Sequence, residues 1–286
     1  MLSESDQLSN DRHGLRAPAT AADDAVDRRG CYVYGIVSSA ATLLPDTIGV
    51  LGPQGTGRVD LVPHKGVAAL VSDVEVGPAL ASPGNLVAHQ RLLDGLAARL
   101  PVLPLRFGTV LADQDAVAAG LLARGYQSFL DALGRLTGRA QYLVKGRYVQ
   151  DTVLREVLAE NPEAVWLDDE IRSIADVDAS RGLRIRLGEV VSVAIAAKRV
   201  ADTRVLGDVL SPVCLASSVR DVGHPEDLVT VAVLVETARQ ADLERIVGQA
   251  AHEWEGRVNL RLLGPMAAYD FAQAAVTGGS GWDSWG

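Results

Sequence analysis

The sequence predicts an α+β protein built from two domains. Short runs rich in β-branched and aromatic residues, which are typical of strands, alternate with longer segments whose apolar residues recur about every 3.6 positions, as in helices. In the second half of the chain these elements follow one another in an order that characterises one kind of antiparallel sheet. The chain has 286 residues, which is long enough for two ordinary domains.

The N-terminal α+β domain is predicted over residues 30–139. It begins with a strand at Cys31–Val37 and continues with a hairpin around Pro63–Gly66. A helix capped by Asn85 follows, and Pro101 ends it. The remaining predicted elements are the hairpin strands Val59–Val62 and Val67–Val74, a short strand Val102–Leu105, and a long amphipathic helix Asp113–Leu136.

The C-terminal domain is predicted over residues 140–273, with an inserted helical extension at about residues 151–180 that is broken near Pro162. Without the extension, the order of elements is βαββαβ. This is the split βαβ or ferredoxin-like arrangement, an antiparallel sheet with both helices on one face. Its elements are strand Gln141–Val149, one or two helices in Arg181–Leu210, strands Val213–Val219 and Asp227–Val235, helix Gln240–Trp254 and strand Val258–Leu263.

The two ends of the chain are predicted to be tails. Residues 1–29 carry too few large apolar residues to offset the entropy of ordering, so we expect a disordered N-terminal tail. Residues 274–286 are rich in glycine and predict a flexible C-terminal tail. Trp282 and Trp285 in that tail leave two alternatives open: an anchor for a partner, or packing against the body or simple disorder.

Composition excludes several classes of function. With 27 basic and 36 acidic residues the net charge is −9, which argues against binding to a phosphate backbone, so no nucleic-acid partner is expected. The longest apolar runs, Val190–Ala197 and Leu228–Val235, are too short to cross a bilayer and predict a buried helix and a buried strand. Cys31 and Cys214 form no CxxC pair, so neither a disulfide framework nor a zinc site is indicated, and a reducing cytoplasm fits best.

The sequence contains no recognisable catalytic or cofactor motif. The glycine-rich Gly49–Gly57 lacks the Gly-Lys-Ser/Thr of a phosphate-binding loop. The five histidines show no HExxH or HxH spacing, and His89 is expected to be a polar or half-buried helix residue. Asp168–Glu170 lacks the alternating oxygen ligands of a calcium loop and is better explained as a solvated helix start. We therefore expect no cofactor, no metal and no enzymatic activity.

The most informative local sequence is Val102–Val110, in which a short strand leads into a tight turn before a long helix. Arg106 has five donors that could tie backbone carbonyls or a carboxylate across the turn, and Phe107 could anchor the turn in the core. These residues are expected to form a clamp within the domain. The alternative is that they face a partner.

Four segments together resemble the gas vesicle protein F/L family, and their order spans almost the whole predicted folded region. They are Tyr32–Val37, Leu103–Val110, Gln141–Lys145 and Leu263–Phe271. The chain departs from the family pattern in two places. Gln141 stands where the family usually has Glu, and Met266–Phe271 replaces a Trp-Pro-Pro-Tyr-Ser-Phe run. The residues that carry the resemblance are Tyr32, Tyr34, Gly35, Leu103, Pro104, Arg106, Phe107, Gly108, Thr109, Lys145, Gly264, Pro265, Tyr269 and Phe271.

The resemblance implies a fold and a role. The fold is two α+β domains, the second a modified ferredoxin-like domain with a helical extension. The role is a non-enzymatic accessory protein of gas vesicles, which binds the hydrophobic shell-forming protein and other accessory proteins and becomes a minor vesicle component. The alternative is a small-ligand-binding protein or an enzyme that uses the cleft between the two domains.

Overall fold

The computed structural model describes residues 29–41, 58–221, 223–224 and 226–277. They form a mixed structure of helices and antiparallel sheets, which confirms the predicted α+β class. The predicted N-terminal tail apart from Arg29, the Gly49–Gly57 loop, and residues 278–286 with Trp282 and Trp285 lie outside the described residues.

The first sheet has the strand order β2-β3-β1-β4, and β5 also pairs with β1. All its pairs are antiparallel, and a bulge between Val33 and Gly35 in β1 changes which residues face each side. A Cβ at Gly35 would lie 2.8 Å from the carbonyl oxygen of Leu103, so only glycine lets β4 approach this closely. The strands are β1 (Arg29–Ser38), β2 (Asp60–His64), β3 (Val67–Glu75), β4 (Leu103–Pro104) and β5 (Val110–Leu111).

Helix α1 (Pro83–Ala97) covers one face of this sheet, and its cap differs from the prediction. The cap is Ser82, whose Oγ accepts a hydrogen bond from the backbone N of Asn85 at 3.3 Å. Pro83 fits directly after this cap because the first helical position needs no backbone donor. Asn85 is buried instead, and its side chain donates to the carbonyls of Ala79 and Leu80.

The long helix predicted from Asp113 to Leu136 is present, but its first half is wider than an α-helix. Asp113 caps it, because its Oδ1 accepts from the backbone N of Ala116 at 2.7 Å. Residues Ala116–Leu122 are π-helical, and α2 (Ala123–Leu136) continues from them. This helix packs on the face of the first sheet opposite α1.

The second sheet has the strand order β7-β8-β6-β9, and every neighbouring pair is antiparallel. One face packs against helix α6 (Gln240–Glu253) and the C-terminal half of helix α5 (Arg181–Leu210) through Leu206, Leu210, Leu243 and Val247. The elements are β6 (Arg139–Tyr148), β7 (Ala216–Arg220), β8 (Asp227–Glu236), α6 (Gln240–Glu253) and β9 (Val258–Met266).

Three helices separate β6 from β7: α3 (Gln150–Glu160), α4 (Pro162–Ser173) and α5 (Arg181–Leu210). The predicted break near Pro162 is confirmed, and Asn161 caps α4 by accepting from the backbone N of Glu163 and Ala164. The extension is larger than predicted. Leu183, Leu187 and Val190 of α5 pack on α4, so the helical unit continues past residue 180.

The two sheets share one hydrophobic core, with α2 lying between them. Val33 and Leu103 of the first sheet, Leu143 and Leu234 of the second, and Leu133 of α2 belong to the same buried cluster. The short helix α7 (Ala272–Thr277) also packs on α2. The region between the sheets is therefore filled with packed side chains.

Among the helices that the structure describes, none combines the length and the apolar composition needed to cross a membrane.

Candidate functional site at the junction of the two sheets

The motif segments meet around residues 267–271, which follow β9 and which we call the crossing segment. The segment leaves β9 at one edge of the second sheet, yet Asp270 binds Arg220 of β7 at the opposite edge. It therefore crosses the face of the sheet that is turned toward the first sheet. Its Ala268 and Phe271 are buried in the shared core, and Ala267 is buried with the side chains of α1 and β1.

Asp270 is the centre of a polar lock that fixes the crossing segment. Its Oδ1 accepts from Arg220 Nε at 2.8 Å, and its backbone N donates to Gln141 Oε1 at 3.0 Å. The side-chain amide of Gln141 also donates to the Asp270 carboxylate. Gln141 is fully buried in β6, so its amide depends on these bonds. A glutamate at position 141 would instead place two carboxylates together.

Two further hydrogen bonds attach the crossing segment to α1 and the following helix α7 to α2. Asp94 Oδ1 of α1 accepts from the backbone N of Ala267 at 2.9 Å, and burial raises the pKa of this carboxyl. Arg135 Nη1 of α2 donates to the carbonyl of Ala275 at 2.6 Å. Asp94, Arg135 and Arg220 stand in no recognisable sequence motif, because each lies far along the chain from the residues it binds.

A buried aromatic cluster lies on the α1 side of the first sheet. Tyr32 OH forms a hydrogen bond with His89 Nδ1 at 2.9 Å and accepts from the backbone N of Gly108 at 3.1 Å. His89 stacks on Tyr34 with ring centroids 5.7 Å apart, and Phe107 and Tyr269 also contact it. The cluster joins residues from three of the motif segments.

His89 is held in its neutral form by this environment. It is 1% exposed, in contrast to the polar or half-buried position that was expected. Burial lowers its pKa to about 4. The backbone of Leu105 acts in the opposite direction and raises this pKa. It forms no regular hydrogen bond with Nε2, which has no hydrogen-bond partner among the described residues. Burial also raises the pKa of Tyr32 and of Tyr34 to about 12.

We expect His89 to make the protein less stable in mild acid. Between its pKa of about 4 in the folded state and the ordinary value of 6.5, the unfolded chain binds a proton that the folded protein does not. Its contribution is therefore fully present above about pH 6.5 and falls by up to about 3 kcal/mol as the pH approaches 4. The raised pKa of Asp94 acts in the opposite direction, so the total loss is smaller than that of His89 alone.

The comparison with His89→Phe isolates this effect. Urea unfolding of both proteins is measured from about pH 7 to about pH 4. The free energy of unfolding should fall more steeply with acidification in the original protein than in the variant. Equal slopes would show that His89 is not held neutral.

The turn between β4 and β5 is rigid, but Arg106 does not clamp it. Thr109 closes the turn by donating from its N and Oγ1 to the carbonyl of Arg106, and Gly108 has φ 87°. Phe107 packs in the aromatic cluster, as predicted for an anchor. The Arg106 side chain is exposed and makes no hydrogen bond or ion pair with the residues that the structure describes. The prediction that the Arg106 guanidinium clamps the turn is therefore wrong.

The remaining motif residues have distinct places. A Cβ at Gly264, which has φ 134°, would lie 2.8 Å from the Tyr142 ring, so the chain passes the second sheet closely here. The Gly264–Pro265 peptide is cis. Leu103 and Pro104 are buried in β4 beside β1. Lys145 is exposed on β6.

Neither cysteine is suited to act as a nucleophile at neutral pH. Burial raises the pKa of the Cys31 thiol to about 11 and that of Cys214 to about 12, so both stay protonated. A surface depression of about 450 Å³ lies beside Cys31, Asp73 and Asp113, at the N-terminal end of β1. No group of three metal-ligating side chains occurs within the described ranges.

The chain is similar to proteins of one known family along most of its length. The family model for gas vesicle synthesis protein GvpL/GvpF matches residues 30–273. Gas vesicle protein F of Streptomyces sp. (strain CB03234) is 33% identical over 85% of this chain and 99% of that protein. Gas vesicle protein L of the same strain is 29% identical over 85% of this chain and 93% of that protein.

The fold agrees with this result. The crystal structure of GvpF from Anabaena sp. PCC7120 superposes with a TM-score of 0.68, at 23% identity, over 85% of this chain and 98% of that one. GvpF from Microcystis aeruginosa gives a TM-score of 0.66, at 21% identity, over 85% of this chain and 99% of that one. The chain belongs to the GvpL/GvpF family of gas vesicle synthesis proteins.

Proposed function

We propose that this chain is a non-enzymatic assembly factor of gas vesicles. It binds the hydrophobic shell-forming protein, prevents its aggregation during vesicle nucleation, and stays with the vesicle in the cytoplasm as a minor component. Other accessory proteins are further partners. The observation that carries the proposal is the family match over residues 30–273.

The role has a physical rationale. A shell subunit that presents an apolar face to gas exposes that face to water before assembly, and exposed apolar patches and strand edges recruit one another. A partner that covers the patch lowers the concentration of free, aggregation-prone subunit. The net charge of −9 supports this role, because like-charged complexes repel one another and stay dispersed.

The junction counts against the alternative of a ligand or substrate bound in a cleft between two domains. Leu133 of α2, Phe271 of the crossing segment and Leu143 of β6 fill the region between the sheets. Asp270 and Gln141 use their polar groups in bonds that hold the crossing segment, and Asp270 also binds Arg220. These contacts support a structural role for the motif residues.

We also propose that the chain divides near residue 139 into an N-terminal α+β domain and a modified ferredoxin-like domain. The strand order β7-β8-β6-β9, with antiparallel neighbours and with α5 and α6 between strands in sequence, supports the second assignment. The two domains then share the core around α2, so we expect them to unfold together.

Arg106 and Lys145 are motif residues with exposed side chains that bind no other residue that the structure describes, and Arg106, which lies on the rigid turn, is our candidate for contact with the shell protein. The rigid turn presents its guanidinium to solvent, where it can bind a carboxylate or backbone carbonyls. We expect Arg106→Ala to change the free energy of unfolding by less than about 0.5 kcal/mol and to weaken capture of the shell protein about tenfold.

The matched control is Arg124→Ala, which removes another exposed arginine, on α2. It should leave both stability and capture unchanged. Capture by the Arg106 variant equal to that of the original protein would remove Arg106 from the binding surface.

The function itself is tested in the host. Deleting the gene should abolish or reduce vesicle formation, and a tagged copy should retain the shell protein in a pull-down. Absence of both effects would reject the proposal. A rise in melting temperature with one member of a metabolite panel would favour the alternative instead.

A further inference from the structure

The middle of α5 has its polarity reversed relative to an ordinary surface helix. Such helices turn apolar residues inward and charged residues outward. Here the outward positions between Glu189 and Arg204 carry no charge, and Val193 and Val200 are each 72% exposed. The outward positions in this stretch are Ser192, Val193, Ala196, Ala197, Val200 and Ala201.

The charged residues of the same stretch point inward and bind other elements. Lys198 Nζ lies 3.2 Å from Glu156 and 2.8 Å from Glu160 of α3. Asp202 accepts from Arg257 Nη2 at 2.7 Å, and Arg199 Nε donates to the carbonyl of Asp227 at 3.0 Å. The inward face thus combines these ion pairs with a few packed apolar side chains, and Val193 and Val200 are left on the outside.

Between residues 185 and 208 the exposed positions, apart from Arg186, are arranged symmetrically along the helix. Positions 185, 188, 189, 192, 193 and 196 are exposed, and so are 208, 205, 204, 201, 200 and 197. Each position in the first set has a counterpart in the second at the same distance from the midpoint between Ala196 and Ala197. Two copies of α5 that run antiparallel about this midpoint would therefore meet along their exposed faces.

The charges fit that pairing. Val193 of one copy would face Val200 of the other, and Glu189 would face Arg204, with each contact made twice. Arg204 makes no ion pair with any residue that the structure describes, and Glu189 contacts only the exposed Arg186 at 3.4 Å. A parallel pairing in register would instead place Glu189 opposite Glu189. Charge complementarity thus selects the antiparallel arrangement.

We propose that this protein self-associates through the outer face of α5, as an antiparallel pair of helices with a two-fold axis at Ala196–Ala197. The contact runs from residue 185 to residue 208, about 36 Å at 1.5 Å per residue. A single helix pair of this length lies at or below the lower end of stable interfaces, which bury about 1,200 Å² or more. The dimer is accordingly weak, with a dissociation constant in the micromolar range.

Sedimentation equilibrium of the full chain tests this. The original protein should form a dimer whose population rises with concentration in the micromolar range. Val193→Glu should weaken association on the order of a hundredfold, because it buries carboxylates against Val200 twice per dimer. The control Val177→Glu changes a residue that is 66% exposed and outside the α5 face, and it should not affect association.

Exchange of charges tests the register independently. Arg204→Glu and Glu189→Arg alone should each weaken the dimer about tenfold, and combining the two substitutions should restore it. All substituted side chains are exposed, so the melting temperatures should stay close to that of the original protein.

Three results would overturn the proposal. They are a monomer at all concentrations, a dimer that Val193→Glu does not weaken, and a double charge exchange as weak as the single ones. A monomer whose capture of the shell protein is lost in Val193→Glu would assign the face to that partner instead.

Discussion

Replacing Phe271 with alanine is expected to destabilise the protein by about 3 to 5 kcal/mol. Phe271 is 2% exposed and lies in the core that both sheets share with α2. Its removal leaves a cavity where three layers meet, and the Asp270 lock beside it resists the shift that would close the cavity. Urea unfolding followed by circular dichroism measures the change.

Leu263→Ala is the matched control, because it shortens an apolar side chain of the same motif at a position that is 41% exposed. It should cost about 1 kcal/mol or less. If the two variants lose similar stability, Phe271 does not hold the sheets together.

Replacing Arg257 with methionine is expected to cost about 3 kcal/mol by breaking the ion network beneath α5. Arg257 Nε lies 2.9 Å from Glu156 Oε1, and its Nη2 lies 2.7 Å from Asp202 Oδ2. These carboxylates hold the pKa of the guanidinium above its ordinary value. Without Arg257, Asp202 keeps its bond from Tyr148 OH and has no ion pair with another residue that the structure describes.

Arg186→Met is the control, because Arg186 also pairs with two carboxylates, Glu163 and Glu189, but is 56% exposed. Solvent screens such pairs, so the unfolding midpoint should hardly move. Equal losses in the two variants would contradict the account of α5 as a helix anchored by partly buried ion pairs.

The strands of both sheets, apart from the two-residue β5, were predictable because their apolar residues are consecutive and local. β1 is buried along almost its whole length, and its composition alone indicates a strand. The hairpin of β2 and β3 followed from the turn residues, and Lys65 has the positive φ that such a turn requires. The order of elements from β6 to β9 was likewise visible, because each element is long and strongly patterned.

The orientation of α5 was not predictable. Val190–Ala197 was expected to be buried because it is apolar, yet Val193 is exposed. Periodicity identifies the helix but assigns the apolar face inward by default. Here ion pairs to Glu156, Glu160 and Arg257 occupy part of the inward face, and those partners lie on other elements.

The Asp270 lock also escaped prediction, although both of its unusual residues were noticed. Gln141 stands where the family usually has Glu, and Asp270 where it usually has Ser. The two residues are 129 positions apart and hydrogen-bonded. In this chain the lock contains a single carboxylate, that of Asp270, and Arg220 binds it.

The central claim is that this chain keeps the shell-forming protein soluble. Co-expression of the shell protein with the chain, followed by separation of soluble and aggregated material, tests it most directly. We predict that the shell protein moves into the soluble fraction and co-purifies with the chain, and less so with Arg106→Ala. A shell protein that stays aggregated and does not co-purify would contradict the claim.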